Sequence, residues 1–158
     1  AAARREGPLR QLLDHGADEI AVMTGEDDEA VLRKAAEGPY DVVVDYVFGR
    51  AFEAALPTTN SGDPEDEGQG GSRYVVVGEF ELGGSVRLPI APLFGLTIRG
   101  HQNSAVPHEE RRDVFEHLAR LAMAGELWTE IEEVALEDVS TAWTRVGSSA
   151  HAKVIVRP

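Results

Sequence analysis

The chain of 158 residues has no cysteine and only two lysines, Lys34 and Lys153. Without cysteine it can form no disulfide, no thiolate nucleophile and no thiolate zinc ligand. Its apolar runs are far too short to span a membrane, and it does not open on the charged-then-apolar pattern of a secretion leader. Cytoplasm is the default expectation. Basic residues are also scarce: 15 Lys and Arg stand against 28 Asp and Glu, a formal charge of −13. Such a surface repels a phosphate backbone, so nucleic acid is not an expected partner. The plain reading is a soluble acidic surface. One further element is missing. No glycine-rich phosphate loop precedes the apolar strands.

Those strands dominate what is present. They cover residues 19–23, 41–47 (DVVVDYV), 73–78 (RYVVVG) and 96–100 (LTIRG). Runs of Val and Ile with little alternation predict strands covered on both faces, as in a parallel α/β sheet. Ligands of such sheets sit beyond the carboxyl ends of the strands, where Asp45, Gly78 and Gly100 fall. The pattern is that of a nucleotide-binding sheet entered part-way through. At 42% hydrophobic residues, one domain with a real core is expected.

The opening AAARREG reads as the end of a strand. Gly7-Pro8 starts a helix that Gly16 ends. Thr24 or Asp27 can cap a second helix over 27–37, and residues 48–56 form a short helix or turn. The segment 57–72 (PTTNSGDPEDEGQGGS) carries Gly, Pro and acids without an apolar anchor, and predicts a flexible acidic loop. Residues 85–88 read as extended, 107–124 as the longest helix with Gly125 at its end, 131–136 as extended, 137–146 as helical and 153–156 as a last strand. Trp128 and Trp143 are expected in the core.

The five histidines lack metal-ligand spacing. His108-Glu109-Glu110 has no second histidine one turn on, so no metal site is expected. Ser104, Ser148 and Ser149 have no recognisable His and Asp partners. Asp45 has three readings: a ligand contact, a phosphoacceptor of a receiver domain, or a carboxylate that caps the next turn. The second lacks the acidic pair and the lysine it would need. Gly78 and Gly100 would let backbone approach a ligand closely.

In order and spacing, LLDHGADEIAV (12–22), YDVVVDYVFG (40–49), GSRYVVVGEF (71–80), LTIRGH (96–101), AGELWTEIEEVALEDVSTAW (124–143) and AKVIVRP (152–158) resemble the medium-chain dehydrogenase/reductase family. The similarity is to its zinc-free, quinone-oxidoreductase-like branch and covers essentially the whole chain. The family's GroES-like catalytic domain is absent, as are the first strand of its dinucleotide-binding domain and the glycine-rich turn after it. Ala152-Lys153 stands where Gly-Lys is usual. The resemblance implies a partial Rossmann domain over residues 1–158, a doubly wound, mostly parallel α/β sheet lacking its first strand. A gap is then expected between the 19–23 side and the 41–100 side.

The resemblance also assigns roles. Arg4 and Arg5 end the second strand of the Rossmann unit, where arginine pairs with the 2′-phosphate of NADP and an acid would take the ribose of NAD. It therefore implies NADPH. Asp45, Tyr46, Val47, Val77, Gly78, Glu79, Arg99, Gly100, His101 and Lys153 become candidate cofactor neighbours. No catalytic residue is assigned. A homodimer through the edge strand Leu96–Gly100 is implied too, and an open edge invites such pairing. The expected function is the C-terminal, cofactor-binding part of an NADPH-dependent oxidoreductase that transfers hydride to quinones, enones or carbonyls, inactive by itself. The alternative is a non-catalytic α/β interaction or remnant domain without cofactor.

Overall fold

The computed structural model describes residues 1–59, 71–78, 85–89, 93, 95–127, 129–147 and 153–158. Most of the 57–72 loop, Glu79, Trp128, Ser148, Ser149 and His151 lie outside the described residues. The chain divides into two compact units, Ala1–Val106 and Pro107–Pro158.

The first unit begins with β1 (Ala2–Ala3), followed by α1 (Glu6–Gln11) and a tight helical turn, Leu12–His15. Gly16 closes that turn at φ 97°, a left-handed conformation that favours glycine. Next come β2 (Ala21–Val22), α2 (Asp28–Lys34), β3 (Val42–Asp45), α3 (Arg50–Ala55), β4 (Arg73–Val76) and β5 (Thr97–Gly100). The strands are shorter than the apolar runs that announce them. No strand is assigned at 85–88.

β1 pairs with β2 in parallel, and β3, β4 and β5 form a separate parallel sheet in that order. The break expected between the two halves is therefore present. An open cavity of about 810 Å³ lies at the amino ends of these strands, lined by Ala1, Glu19, Gly38, Tyr40 and Asp41 among others. Each crossover passes through a helix or a long segment, as parallel pairing requires.

α2 and α3 cover one face of the three-stranded sheet. Leu32, Phe52, Ala55, Leu56 and Tyr74 are buried together with Ala21, and Val43, Val76 and Phe48 pack against them. Side chains alternate across a strand, so Val42 and Val44 point to the other face, where they are 55% and 56% exposed. Among the described residues α2 and α3 pack on the Val43 face of this three-stranded sheet, and Leu9 of α1 is buried outside their cluster. The Val-rich composition of the strands reads the same either way, because both faces are apolar.

The second unit contains α4 (His108–Met123), β6 (Ile131–Ala135), α5 (Val139–Gly147) and β7 (Lys153–Arg157). Pro107 precedes α4, and Gly125 follows it at φ 76°. β6 and β7 pair in parallel from Ile131↔Lys153 to Ala135↔Arg157. Side-chain pairs Arg145–Glu132 and Arg157–Glu133 tie α5 to β6 and β7 to β6. α4 has no buried residue. Trp143 is 81% exposed, which corrects its expected place in the core. A nine-residue helix beside a two-stranded sheet buries Ala142 and leaves Trp143 outside. No helix among the described residues is long and apolar enough to cross a membrane.

Candidate functional site at the carboxyl ends of the strands

The register brings the end of β3, β4 and β5 to one level: Asp45 lies opposite Val76, and Val76 opposite Gly100. The ladder continues past the strands, with Val77 N–H donating to the Asp45 carbonyl at 2.8 Å and His101 N–H to that of Val76 at 2.8 Å. Asp45, Tyr46, Val47, Val77, Gly78, Arg99, Gly100 and His101 are thus gathered at one edge of the sheet. His101 Nε2 lies 2.9 Å from Asn103 Oδ1.

Asp45 is 7% exposed and faces inward. Its Oδ1 accepts the N–H groups of Val47 (2.7 Å) and Phe48 (3.0 Å), and its Oδ2 accepts the Tyr74 hydroxyl at 2.7 Å. This is the turn-capping geometry the sequence allowed. A buried carboxylate is tolerated when its lone pairs are filled in this way. The chain after it bends sharply. Phe48 adopts φ 59°, an uncommon conformation for a bulky residue, at a strain of about 1–3 kcal/mol. Tyr46 and Val47 are carried outward, 69% and 50% exposed.

Gly78 is required here by close approach. A Cβ on it would fall 2.5 Å from the Tyr46 carbonyl oxygen, backbone that has no side-chain freedom to yield. Beneath the turn, Phe48 and Phe52 rings lie 5.1 Å apart, and Phe52 meets Tyr74 edge-on at 4.6 Å.

A second rim is formed by β1 and β2. Arg4 and Arg5 follow β1 directly, both exposed and both engaged in interactions within the chain. Met23 N–H donates to the Ala3 carbonyl at 2.9 Å, which sets the β2 exit beside them. The expected cap of α2 is replaced. Asp27 holds the cap position at φ 54° without a side-chain bond, and Asp28 instead turns back to accept Thr24 and Gly25 N–H, each at 2.9 Å. Arg50, at the start of α3, donates to the Gly25 carbonyl and so bridges the two rims. Lys153 opens β7 in the second unit and is exposed.

Sequence reasoning missed Tyr74, Arg50 and Asp28. Tyr74 had a usable signal, since alternation along β4 puts it on the same face as Val76. Arg50 had none, because its bond depends on a tertiary approach of segments 25 positions apart; Asp28 bonds locally, three and four positions back, where Thr24 and Asp27 are the expected caps.

Burial pushes the Tyr74 phenol well above its ordinary value, and the hydrogen bond to Asp45 and its charge push the same way. Tyr40 is raised by burial. An unfolded tyrosine ionises near pH ~10. The folded chain holds its phenolic proton beyond that point, so stability is intact below about pH 10 and falls above it. The slope expected from Tyr74 is about 1.4 kcal/mol per pH unit. Urea unfolding across the alkaline range should show this fall, and Tyr74→Phe should flatten it to the part due to Tyr40. An unchanged slope in the variant would refute the assignment.

Parallel strands joined through helices, with small and polar residues level at their carboxyl ends, define a mixed α/β protein of the Rossmann-like, cofactor-binding half found in medium-chain dehydrogenases. Comparison with known proteins agrees. Residues 15–156 match the model of the family described as zinc-binding dehydrogenase, and the chain belongs to that family. The fold matches AibC at a TM-score of 0.79 and 26% identity, covering 100% of this chain and 41% of that one. It matches CurA in complex with NADPH from Vibrio vulnificus at 0.74 and 18%, covering 99% and 48%. A thermostable alcohol dehydrogenase from Pyrobaculum aerophilum matches at 0.69 and 25%, covering 100% and 42%. The chain thus spans less than half the length of these structures. No curated protein matches it. Among the described residues no group of three His, Asp or Glu side chains is placed to hold a metal ion. They do not fit the zinc of the family's description.

Proposed function

We propose that the chain is the C-terminal cofactor-binding part of an NADPH-dependent oxidoreductase that reduces quinones, enones or carbonyl compounds by hydride transfer. The observation that carries this reading is the level alignment of Asp45, Val76 and Gly100 at the carboxyl ends of three parallel strands, with Gly78 two residues beyond Val76. Family membership supports it, as does the likeness to a structure described with NADPH. Arg4 and Arg5 would pair with a 2′-phosphate through charge-assisted hydrogen bonds. Tyr46, Val47, Val77, Gly78, Arg99, Gly100 and His101 would line the dinucleotide, with Glu79 and Lys153 as further neighbours. The nicotinamide supplies the hydride; the protein binds and orients it.

Fluorescence titration of the full chain with NADPH and NADH tests this. NADPH should bind about tenfold or more tighter, and Arg4→Glu with Arg5→Glu should abolish the preference. Tight NADH binding with none of NADPH would overturn the arginine assignment. A second reading is an α/β interaction domain without cofactor, which the separation of the β1–β2 sheet from β3–β4–β5 favours. Binding of neither dinucleotide would select it.

A further inference from the structure

We propose that Tyr74 is a positioning residue for the dinucleotide, acting through Asp45 on the turn 46–49. The inference rests on the proposed cofactor site and adds to it a residue that touches no ligand. Tyr74 is 1% exposed and lies under the sheet end, so its own atoms are inaccessible. Its hydroxyl nevertheless reaches the one side chain that shapes the turn. Asp45 divides its oxygens between two tasks: Oδ1 gathers the Val47 and Phe48 N–H groups, and Oδ2 is fixed by Tyr74. A carboxylate held at one oxygen cannot rotate, so the other oxygen keeps both N–H groups aimed inward. That holds Phe48 at positive φ and sends Tyr46 and Val47 out to the rim.

Three further observations point to a preset surface. The Tyr46 carbonyl is seated against Gly78, where no side chain fits. The Asp45 carbonyl accepts Val77 N–H, which fixes the β4 exit to the same turn. Phe52 packs edge-on against the Tyr74 ring, which holds the phenolic oxygen beside Asp45 Oδ2. Strain kept at a ligand-facing turn and supported from below is the usual sign of preorganisation. The Asp45 side chain, on this reading, serves the site by shaping it.

The test uses the full chain as wild type, Tyr74→Phe and Asp45→Asn. Tyr74→Phe keeps the buried ring and removes only the hydroxyl. Calorimetric titration with NADPH should show about tenfold weaker binding. Amide exchange at Val47 and Phe48 should quicken about tenfold, with α2 amides unchanged. Asp45→Asn keeps an acceptor for both N–H groups but turns an amide N–H, which cannot accept, toward the Tyr74 hydroxyl, so its binding should weaken and its Val47 and Phe48 exchange should quicken together, as in Tyr74→Phe. Equal NADPH binding by wild type and Tyr74→Phe would overturn the proposal, whatever the change in melting temperature. Lost binding in Asp45→Asn with slow exchange preserved would overturn it too, since the carboxylate would then be meeting ligand directly. Failure of the wild-type chain to bind either dinucleotide is a separate result and removes the cofactor reading itself.

Discussion

Asp45→Ala is expected to lower the stability of the first unit by about 3–5 kcal/mol. The substitution leaves three donors without their acceptor: Val47 N–H, Phe48 N–H and the Tyr74 hydroxyl. A donor stranded in a buried site costs about 1–3 kcal/mol. The Tyr74 hydroxyl is the worst placed of them, because its ring is 1% exposed and cannot turn to water. The two backbone donors belong to a turn with exposed residues and recover part of their loss by hydration. The turn also loses the side-chain acceptor that holds Phe48 N–H at positive φ. Domains hold together by about 5–15 kcal/mol in total, so this one change removes a large part of the margin. Urea unfolding followed by tyrosine near-ultraviolet dichroism reads it. A loss below about 1 kcal/mol would mean that water replaces the carboxylate, and that the buried network is weaker than its geometry implies.

The same network shows where the sequence is informative. DVVVDYV announces a strand over 41–47, and the strand occupies Val42–Asp45, with the acid at its carboxyl end. Gly16 and Gly125 mark helix ends because positive φ is a local requirement that one residue type meets. The spacing of 73–78 and 96–100 after 41–47 sets three parallel strands with ligand-type residues at one end. These features depend on few neighbouring residues, and local chemistry decides them. The inward turn of the Asp45 side chain has that property only in part. Its Oδ1 is set locally by the N–H groups of Val47 and Phe48, but its Oδ2 needs a hydroxyl 29 positions on. Trp143 fails for a related reason. Its hydrophobicity asks for burial, but burial needs a partner surface, and β6 and β7 with α5 bury only Ala142 among the described residues of their unit. The strand composition of β3 is ambiguous in the same sense. Valine at 42 and 44 is equally compatible with a covered face and a bare one, and only the placement of α2 and α3 decides between them.

Phe52→Ala should be as damaging as Asp45→Ala, for a reason of volume. Phe52 is 1% exposed and stands between Phe48 and Tyr74, with Leu32 and Leu56 in the same cluster. Truncation removes the ring's burial and leaves a cavity that neighbours fill only in part, a loss of about 3–5 kcal/mol. Phe52→Leu, which keeps most of the volume, should lose about 1–1.5 kcal/mol. The effect should also travel. The Tyr74 ring gains rotational freedom once its edge-on partner is gone, and its hydroxyl then no longer points only at Asp45 Oδ2. Phe52→Ala and Tyr74→Phe therefore act on one network and should not add: the double variant should fall short of the summed losses by about 0.5 kcal/mol or more. Urea midpoints of the two single variants and the double variant measure the coupling. Strict additivity would show that the aromatic cluster and the Asp45 turn are independent, and that the turn is set from the backbone alone. Coupling would show that the core under the sheet end and the turn above it are one mechanical unit, with Tyr74 as the joint.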